Sequence, residues 1–261
     1  MTAVTAGRLA GWIAASLVLV VVPAGAQVIG TGLSSNTLNG AAPYGSPIRD
    51  NRVYIHGILN QFEGRSGDGN YFRWDGEAWA GDDWNRIWLK SEGRDNADRR
   101  GRVSDGDQEL LYDRPISRYF DVQAGLRYDL DNGTSRTWAA LGIQGLAIDF
   151  WNVEATVYAS DRGDYALRTN AYYDLYLMQR LILQPQFETN WYTKKDQGRG
   201  VGAGLSDIDT GLRLRYDITR KFAPYVGVAY QRFLGGTENL TRAQGGRPND
   251  VRFLFGIRLW Y

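Results

Sequence analysis

Polar and apolar residues alternate along most of this chain after residue 50. Twelve segments repeat with a period of two, which places alternate side chains on opposite faces of an extended strand and therefore predicts β-strands. The predicted strands cover residues 53–62, 71–80, 86–92, 102–112, 120–130, 136–146, 152–160, 165–175, 181–192, 206–218, 223–233 and 251–260.

The clearest hairpin spans residues 71–93. In its first arm Arg73, Asp75 and Glu77 share one face, and Phe72 and Trp74 lie on the other. A soluble sandwich and a membrane barrel both produce this alternation, so the hairpin alone does not choose between them.

The connections decide the fold class because short turns and longer polar loops follow each other in alternation. Short turns are predicted at 82–83, 114–118, 148–151, 178–180 and 219–222, and longer loops at 64–70, 93–101, 131–135, 161–164, 194–204 and 235–250. Outer-membrane barrels have short turns at one rim, long loops at the other, and strands of roughly 9–11 residues. The sequence therefore predicts an all-β, closed antiparallel transmembrane barrel of about twelve strands, and excludes a helical span in the mature chain.

Each predicted strand has one apolar and one strongly polar face. A charge that faces lipid near the midplane costs roughly 2–4 kcal/mol, so the polar faces are expected to line the lumen. The predicted lumen-lining residues are Arg73, Asp75, Glu77, Lys90, Glu92, Glu109, Arg127, Glu154, Arg168, Glu188, Asp209, Arg213, Arg215 and Arg258. Two interpretations stay open: a ladder of ion pairs that fills a narrow barrel, or a path in which some carboxylates briefly hold a cation.

The amino terminus has the layout of a secretory signal. Arg8 precedes an uncharged run at 9–22, which ends in small residues before Gln27. The alternative is a membrane-anchoring helix, but the run is short for a span of roughly 20 residues. The predicted domains are a signal peptide at 1–26, a short flexible segment rich in Gly, Ser and Asn at 27–50, and the barrel at 51–261.

Composition narrows the function further. The chain has 30 basic and 29 acidic residues, whereas a nucleic-acid partner would require a basic surface, so none is predicted. It has no Cys, which excludes disulfides and thiolate metal sites.

The last strand carries an apolar row at Phe253, Phe255, Ile257, Leu259 and Tyr261. This row resembles the assembly signal of bacterial outer-membrane barrels, which implies the barrel-assembly machinery and outer-membrane lipid as partners.

Five motifs follow one another along the predicted strands: WDGEAWAGDDWNRIWLKSEG at 74–93, SRTWAALGIQGLA at 135–147, QRLILQPQFETNWY at 179–192, GLSDIDTGLRLRYDI at 204–218 and KFAPYVGV at 221–228. In this order they resemble the copper resistance protein B family. The resemblance implies a barrel in the outer membrane of a Gram-negative bacterium that handles copper ions by transport or sequestration. A periplasmic multicopper oxidase or an efflux component is the implied partner.

One departure from the family concerns copper ligands. Family members often carry a Met- and His-rich segment ahead of the barrel, whereas residues 27–50 contain neither residue type. Copper is therefore expected as a transported or bound species, and no tightly bound cofactor is predicted. The weak metal-ligand candidates are His56, Asp75, Glu77, Glu154 and Glu188.

Other functions remain as alternatives. The chain could be a narrow general channel or a structural barrel unrelated to copper. A barrel hydrolase is the third candidate, but outer-membrane phospholipases carry their Ser and His two residues apart on one strand, and no Ser lies at that spacing from His56. The sequence therefore predicts that the chain is not an enzyme.

Overall fold

The computed structural model describes residues 53–67, 69–96, 103–130 and 135–261. The predicted signal peptide and flexible segment lie outside these residues. The strands are β1 (Tyr54–Ser66), β2 (Tyr71–Gly81), β3 (Arg86–Asn96), β4 (Val103–Pro115), β5 (Phe120–Asp129), β6 (Arg136–Leu146), β7 (Asn152–Ser160), β8 (Tyr165–Tyr172), β9 (Leu175–Tyr176), β10 (Leu181–Tyr192), β11 (Gly204–Tyr216), β12 (Phe222–Phe233) and β13 (Asn249–Trp260). One α-helix, α1 (Gly235–Ala243), lies between β12 and β13.

The strands form one closed antiparallel ring. Apart from the two-residue β9, each strand pairs with a neighbour on both sides, and β13 returns to pair with β1, so the barrel is closed. Both β8 and β9 pair with the same edge of β10, so together they count as one interrupted strand, and the barrel has twelve strands. The predicted fold class is confirmed. Within the described residues, no helix is long and apolar enough to span a bilayer.

Pro185 explains why the predicted strand 165–175 is interrupted. The amide of Tyr173 donates to the Pro185 carbonyl at 3.1 Å, but proline has no N–H with which to return the bond. The ladder resumes two residues later, where Leu175 pairs with Leu183. On its other side Pro185 pairs normally with Leu212 of β11, so the barrel stays closed.

The outer wall is apolar. Along β6 the outward residues Ala139, Leu141 and Ile143 are exposed, whereas Trp138 and Ala140, which alternate with them, are buried inside. Leu126 of β5 and Phe255 of β13 are similarly exposed on the outside. In water this surface would be costly, and in lipid it is the expected contact face.

A β-bulge in β1 changes which face points inward. The pairing of β1 with both neighbours shifts register around Asn60 and Gln61. Asn60 donates to Glu77 at 3.4 Å and Gln61 donates to Gln186 at 3.0 Å, so two consecutive side chains enter the lumen. From this point the odd-numbered residues of β1 face inward.

The turn between β2 and β3 shows how the short rim is made. The Asp82 carboxylate accepts the backbone N–H of Trp84 at 2.8 Å and of Asn85 at 2.6 Å. These two donors close the turn, and they lower the pKa of the Asp82 carboxyl because they stabilise its ionised form.

A charge placed on the outer wall should show that this wall faces lipid. Leu141 lies at the middle of β6, so we expect Leu141→Arg to lower the free energy of unfolding in lipid vesicles by roughly 2–4 kcal/mol. Ile148 lies in the turn after β6 and is more exposed than Leu141, so Ile148→Arg is the control, with an expected loss of about 0–1 kcal/mol. Urea titrations followed by tryptophan fluorescence would measure both, and equal losses would contradict a bilayer around the mid-wall.

Candidate functional site

The lumen is crossed by ion pairs between strands that are far apart in the ring. Arg73 of β2 donates to Glu188 of β10 at 2.9 Å and also binds Glu92 of β3. Arg168 of β8 donates to Glu92 at 3.1 Å and to Asp107 of β4 at 2.7 Å. Contacts across the ring are possible only inside it, so these five residues, which we call the central partition, bridge the lumen.

The partition is anchored to β1 and β11 on one side. Arg65 donates to Asp209 at 2.7 Å, and Arg73 donates to the same carboxylate at 3.3 Å. Arg65 also binds Glu63 at 2.7 Å. Glu63 is fully buried and accepts further bonds from Arg213 at 3.0 Å and from the Tyr225 hydroxyl at 2.9 Å.

Arg127 anchors the partition on the opposite side. Its guanidinium donates to Asp107 at 2.7 Å and to Asp129 at 2.6 Å. Glu109 lies 3.9 Å from the same guanidinium and accepts a bond from the Tyr158 hydroxyl at 2.7 Å. One connected network therefore runs from β11 and β1, through the partition, to β5.

Two cavities lie on either side of the central partition, whose five residues line both. The inner cavity is about 960 Å³ and reaches the short-turn rim at Trp84 and Ile116. The outer cavity is about 610 Å³ and reaches the long-loop rim at Gly198 and Thr237. The network thus divides the lumen into two vestibules.

The two cavities differ in charge. Among the described residues, nine carboxylate and five basic residues line the inner cavity; the acidic ones are Asp75, Glu77, Asp83, Glu92, Asp107, Glu109, Asp121, Glu154 and Glu188. Five carboxylate and six basic residues of the described chain line the outer cavity; the basic ones are Arg73, Arg94, Arg127, Arg168, Arg199 and Arg252. As far as the described residues go, the lining of the inner cavity is acidic and that of the outer cavity is close to neutral.

The inner cavity also contains the least paired carboxylate of the network. Lys90 pairs with Glu154 at 2.7 Å and also lies opposite Glu77 across β2 and β3. Among the described residues, Glu77 accepts one hydrogen bond, from Asn60. Asp75 makes no hydrogen bond or ion pair with the other described residues, and its cross-strand neighbour in β3 is another acid, Glu92. A cation that enters this cavity would find the Asp75 carboxyl group without a partner among the described residues and beside Glu92.

His56 lies apart from these carboxylates and packs between two indoles near the short-turn rim. Its ring centre is 5.8 Å from that of Trp79 and 5.7 Å from that of Trp260, whose Nε1 donates to the imidazole at 3.0 Å. Within the described parts of the chain, no three His, Asp or Glu residues are arranged to hold a metal ion. The predicted ligand set is therefore not assembled around the histidine.

The family model described as "Copper resistance protein B precursor (CopB)" matches residues 53–261, which is the whole described barrel. The chain belongs to the copper resistance protein B family. It is 41% identical over 218 residues to copper resistance protein B of Escherichia coli, covering 83% of this chain and 73% of that protein. It is 40% identical over the same shares to a copper resistance protein B homolog of Pseudomonas syringae pv. tomato. The predicted family is confirmed.

Solved structures support the fold alone. The NanC porin superposes with a TM-score of 0.50 at 12% identity, covering 79% of this chain and 99% of the porin. The closed barrel, its apolar outer wall and the copper resistance protein B relatives agree on a location in the outer membrane, as predicted.

The structure places the predicted lumen residues as follows. Arg73, Asp75, Glu77, Lys90, Glu92, Glu109, Glu154, Arg168 and Glu188 line the inner cavity, and Arg127 and Asp209 line the outer one. Arg213 binds Glu63, Arg215 binds Asp174 at 3.0 Å, and Arg258 is half-buried on the inward face of β13. Metal binding by His56, Asp75, Glu77, Glu154 or Glu188 stays a prediction.

Sequence reasoning missed Glu63 and Arg65, although both are almost completely buried in the network. The sequence pattern ends the first strand at Phe62 and assigns Arg65 to a loop. A signal was present, because Asn60 and Gln61 are consecutive polar residues after which the alternation restarts in the opposite phase. This pattern is what a bulge produces.

Glu63 is the carboxylate whose loss should weaken the barrel most. Glu63→Gln would leave Arg65 and Arg213 without their shared buried anion, so we expect the free energy of unfolding to fall by about 3–5 kcal/mol. Glu238→Gln in α1 is the matched control: its pair with Arg242 is solvated, so a loss of about 0.5 kcal/mol or less is expected. Urea titration in detergent micelles would compare them, and a similar loss for both would contradict a structural role of the Glu63 cluster.

Proposed function

We propose that this barrel handles copper ions at the outer membrane by admitting cations into the acidic inner cavity, with the central partition controlling passage to the outer cavity. Short turns face the periplasm in outer-membrane barrels, so the acidic cavity would open toward the periplasm. The copper resistance protein B relatives support copper as the relevant cation.

The charge difference between the two cavities carries this proposal. A cleft lined by an excess of one sign raises the local concentration of counter-ions and lowers the barrier for their entry. Asp75 adds to this effect because it has no hydrogen-bond or ion-pair partner among the described residues and lies opposite Glu92. Glu77 contributes less, because it lies opposite Lys90, which it shares with Glu154. A purely structural ladder would have no need of a carboxyl group without an ion partner.

The available ligands favour passage over storage. Oxygen ligands bind copper less strongly than the imidazole and sulfur ligands that such sites usually employ. His56 is engaged with Trp260, and Met178 lies in an exposed turn. Copper would therefore be held weakly and exchange quickly, with no tightly bound cofactor.

The barrel would act without catalysis and would depend on partners in the cell envelope. His56 contacts indole rings, which supply neither a nucleophile nor an orienting carboxylate for hydrolysis. The barrel-assembly machinery would recognise the aromatic strand β13, and outer-membrane lipid would surround the apolar wall. A periplasmic multicopper oxidase or efflux component would supply or receive copper at the short-turn rim.

Neutralising the inner carboxylates should reduce cation preference. We expect Asp75→Asn with Glu77→Gln to lower the cation-to-anion permeability ratio of the purified barrel in planar bilayers, because the inner field becomes less negative. Reversal potentials in a salt gradient would measure the ratio. Glu238→Gln in α1 removes one carboxylate from outside the lumen and should leave the ratio unchanged. An equal change in the control, or none in the double variant, would contradict the proposed role of the cavity.

Copper dependence separates this function from a general channel. Cells that lack the barrel should grow less well at raised copper, and the double variant should restore growth less than the parent chain. Normal copper tolerance without the barrel would favour a general channel or a structural barrel.

Calorimetric titration of copper into the refolded protein should show no submicromolar site, because no soft-ligand cluster is present in the described barrel. Such a site would favour sequestration.

A further inference from the structure

The loop between β10 and β11 folds back over the outer cavity. Residues 193–203, which we call the strap, form a small hairpin in which Asp196 and Val201 exchange backbone hydrogen bonds at 2.8 and 2.9 Å. Gly200 closes its tip with a φ of 72°, a left-handed conformation that glycine adopts without strain. Gly198, Arg199 and Gly200 of this tip line the outer cavity.

Arg199 inserts from the tip into the barrel wall. Its guanidinium donates to Asp129 of β5 at 2.8 Å, and only 7% of the side chain is exposed. The guanidinium carbon lies 5.8 Å from the ring centre of Trp138 and 5.9 Å from that of Tyr192. A carboxylate beside two electron-rich ring faces is the arrangement that recognises organic cations.

The surroundings of Asp129 require this positive charge. One of its oxygens accepts from Arg127 and the other from the Trp138 indole at 2.7 Å as well as from Arg199. Arg127 is shared with Asp107 and lies near Glu109, so it does not neutralise Asp129 alone. Without Arg199 a fully buried carboxylate would lose one of its two cations.

We propose that Asp129, Trp138 and Tyr192 form a cation site in the barrel wall, and that Arg199 of the strap occupies it as a built-in ligand that holds the outer cavity closed. The ligand class is a planar organic cation of the guanidinium type. Such a cation from outside competes with Arg199 and releases the tip of the strap. The site contains no copper ligand of the soft type, so it stands independently of the proposed copper function.

The root of the strap is held separately, so Arg199 can be removed without losing the loop. Arg136 of β6 binds Asp196 at 2.7 Å. The Gly202 amide donates to the Thr237 hydroxyl of α1 at 2.8 Å. The strap and α1 approach so closely here that a Cβ at Gly202 would lie 2.3 Å from the backbone of Gly236. The tip is therefore the part that moves when the cation site is vacated.

Chemical rescue tests the site directly. The chain has no Cys, so Gln231→Cys, which faces the outer cavity from β12, gives a single reporter for a polyethylene-glycol maleimide added to the refolded full barrel. Arg199→Ala in this background should raise the labelling rate by about tenfold, because a desolvated cation–π contact and a buried ion pair are both lost. Methylguanidinium at a sub-denaturing concentration should restore slow labelling, whereas sodium at equal ionic strength should not.

Further variants separate a cation site from a loosened loop. Adding Asp129→Asn to Arg199→Ala should abolish the rescue, since the carboxylate that binds the guanidinium is gone. Lys195→Ala, which removes an exposed strap charge, is the control and should leave labelling slow. Heat-modifiable gel mobility would verify that each variant forms the barrel. Slow labelling in Arg199→Ala, or fast labelling that methylguanidinium does not reverse, would overturn the proposal.

Discussion

Charge inside a closed wall is the constraint on which this structure depends. A guanidinium or carboxylate that leaves water must find an opposite charge, and in a membrane barrel it can find one only inside the lumen. Each central guanidinium accordingly serves more than one acid: Arg73 binds three carboxylates and Arg168 binds two. Sharing reduces the number of side chains that must be ordered and keeps the network connected from wall to wall.

This constraint links barrel closure to the lumen. Glu63 lies on β1, and its partners Arg213 and Tyr225 lie on β11 and β12, beyond the seam that β13 forms with β1. The bulge at Asn60 and Gln61 turns Glu63 inward, because the odd-numbered residues of β1 face inward only after it. Pairing of the first and last strands and pairing of the interior charges therefore stabilise the same closed state.

The sequence was informative wherever the alternation continued unbroken. Residues 136–146, 152–160 and 181–192 were predicted with the bounds that the structure shows, because a period of two defines both the strand and its inward face. Interruptions of a strand are harder to predict from the sequence. The bulge in β1 and the loss of pairing opposite Pro185 both depend on which residues of the neighbouring strand lie opposite. The sequence pattern assigns helix α1 to a loop, since a helix of only nine residues leaves little periodic signal.

The candidate site shows a sharper limit of sequence reasoning. Alternation identifies Arg73, Arg168 and Glu188 as inward residues, but it does not say which side chains they meet. Arg73 reaches Glu188 and Arg168 reaches Glu92 across the lumen, between strands that are not neighbours in the ring. The twist and stagger of the closed barrel set those distances, and they are properties of the whole ring. Arg199 was missed for the same reason, since a loop residue carries no periodic signal that it returns to the wall.

Under the proposed function, the shared carboxylates would give the central partition a particular response to cations. Glu92 holds Arg73 with one oxygen and Arg168 with the other, so a cation that bound Glu92 from the inner cavity would weaken both contacts at once. Arg73 retains Glu188 and Asp209, and Arg168 retains Asp107, so neither guanidinium is left uncompensated when this happens. Exchange of partners within the network thus costs less than separation of an isolated buried pair. A lumen closed by shared ion pairs can therefore loosen locally without loss of the barrel, which a lumen packed with apolar side chains could not do.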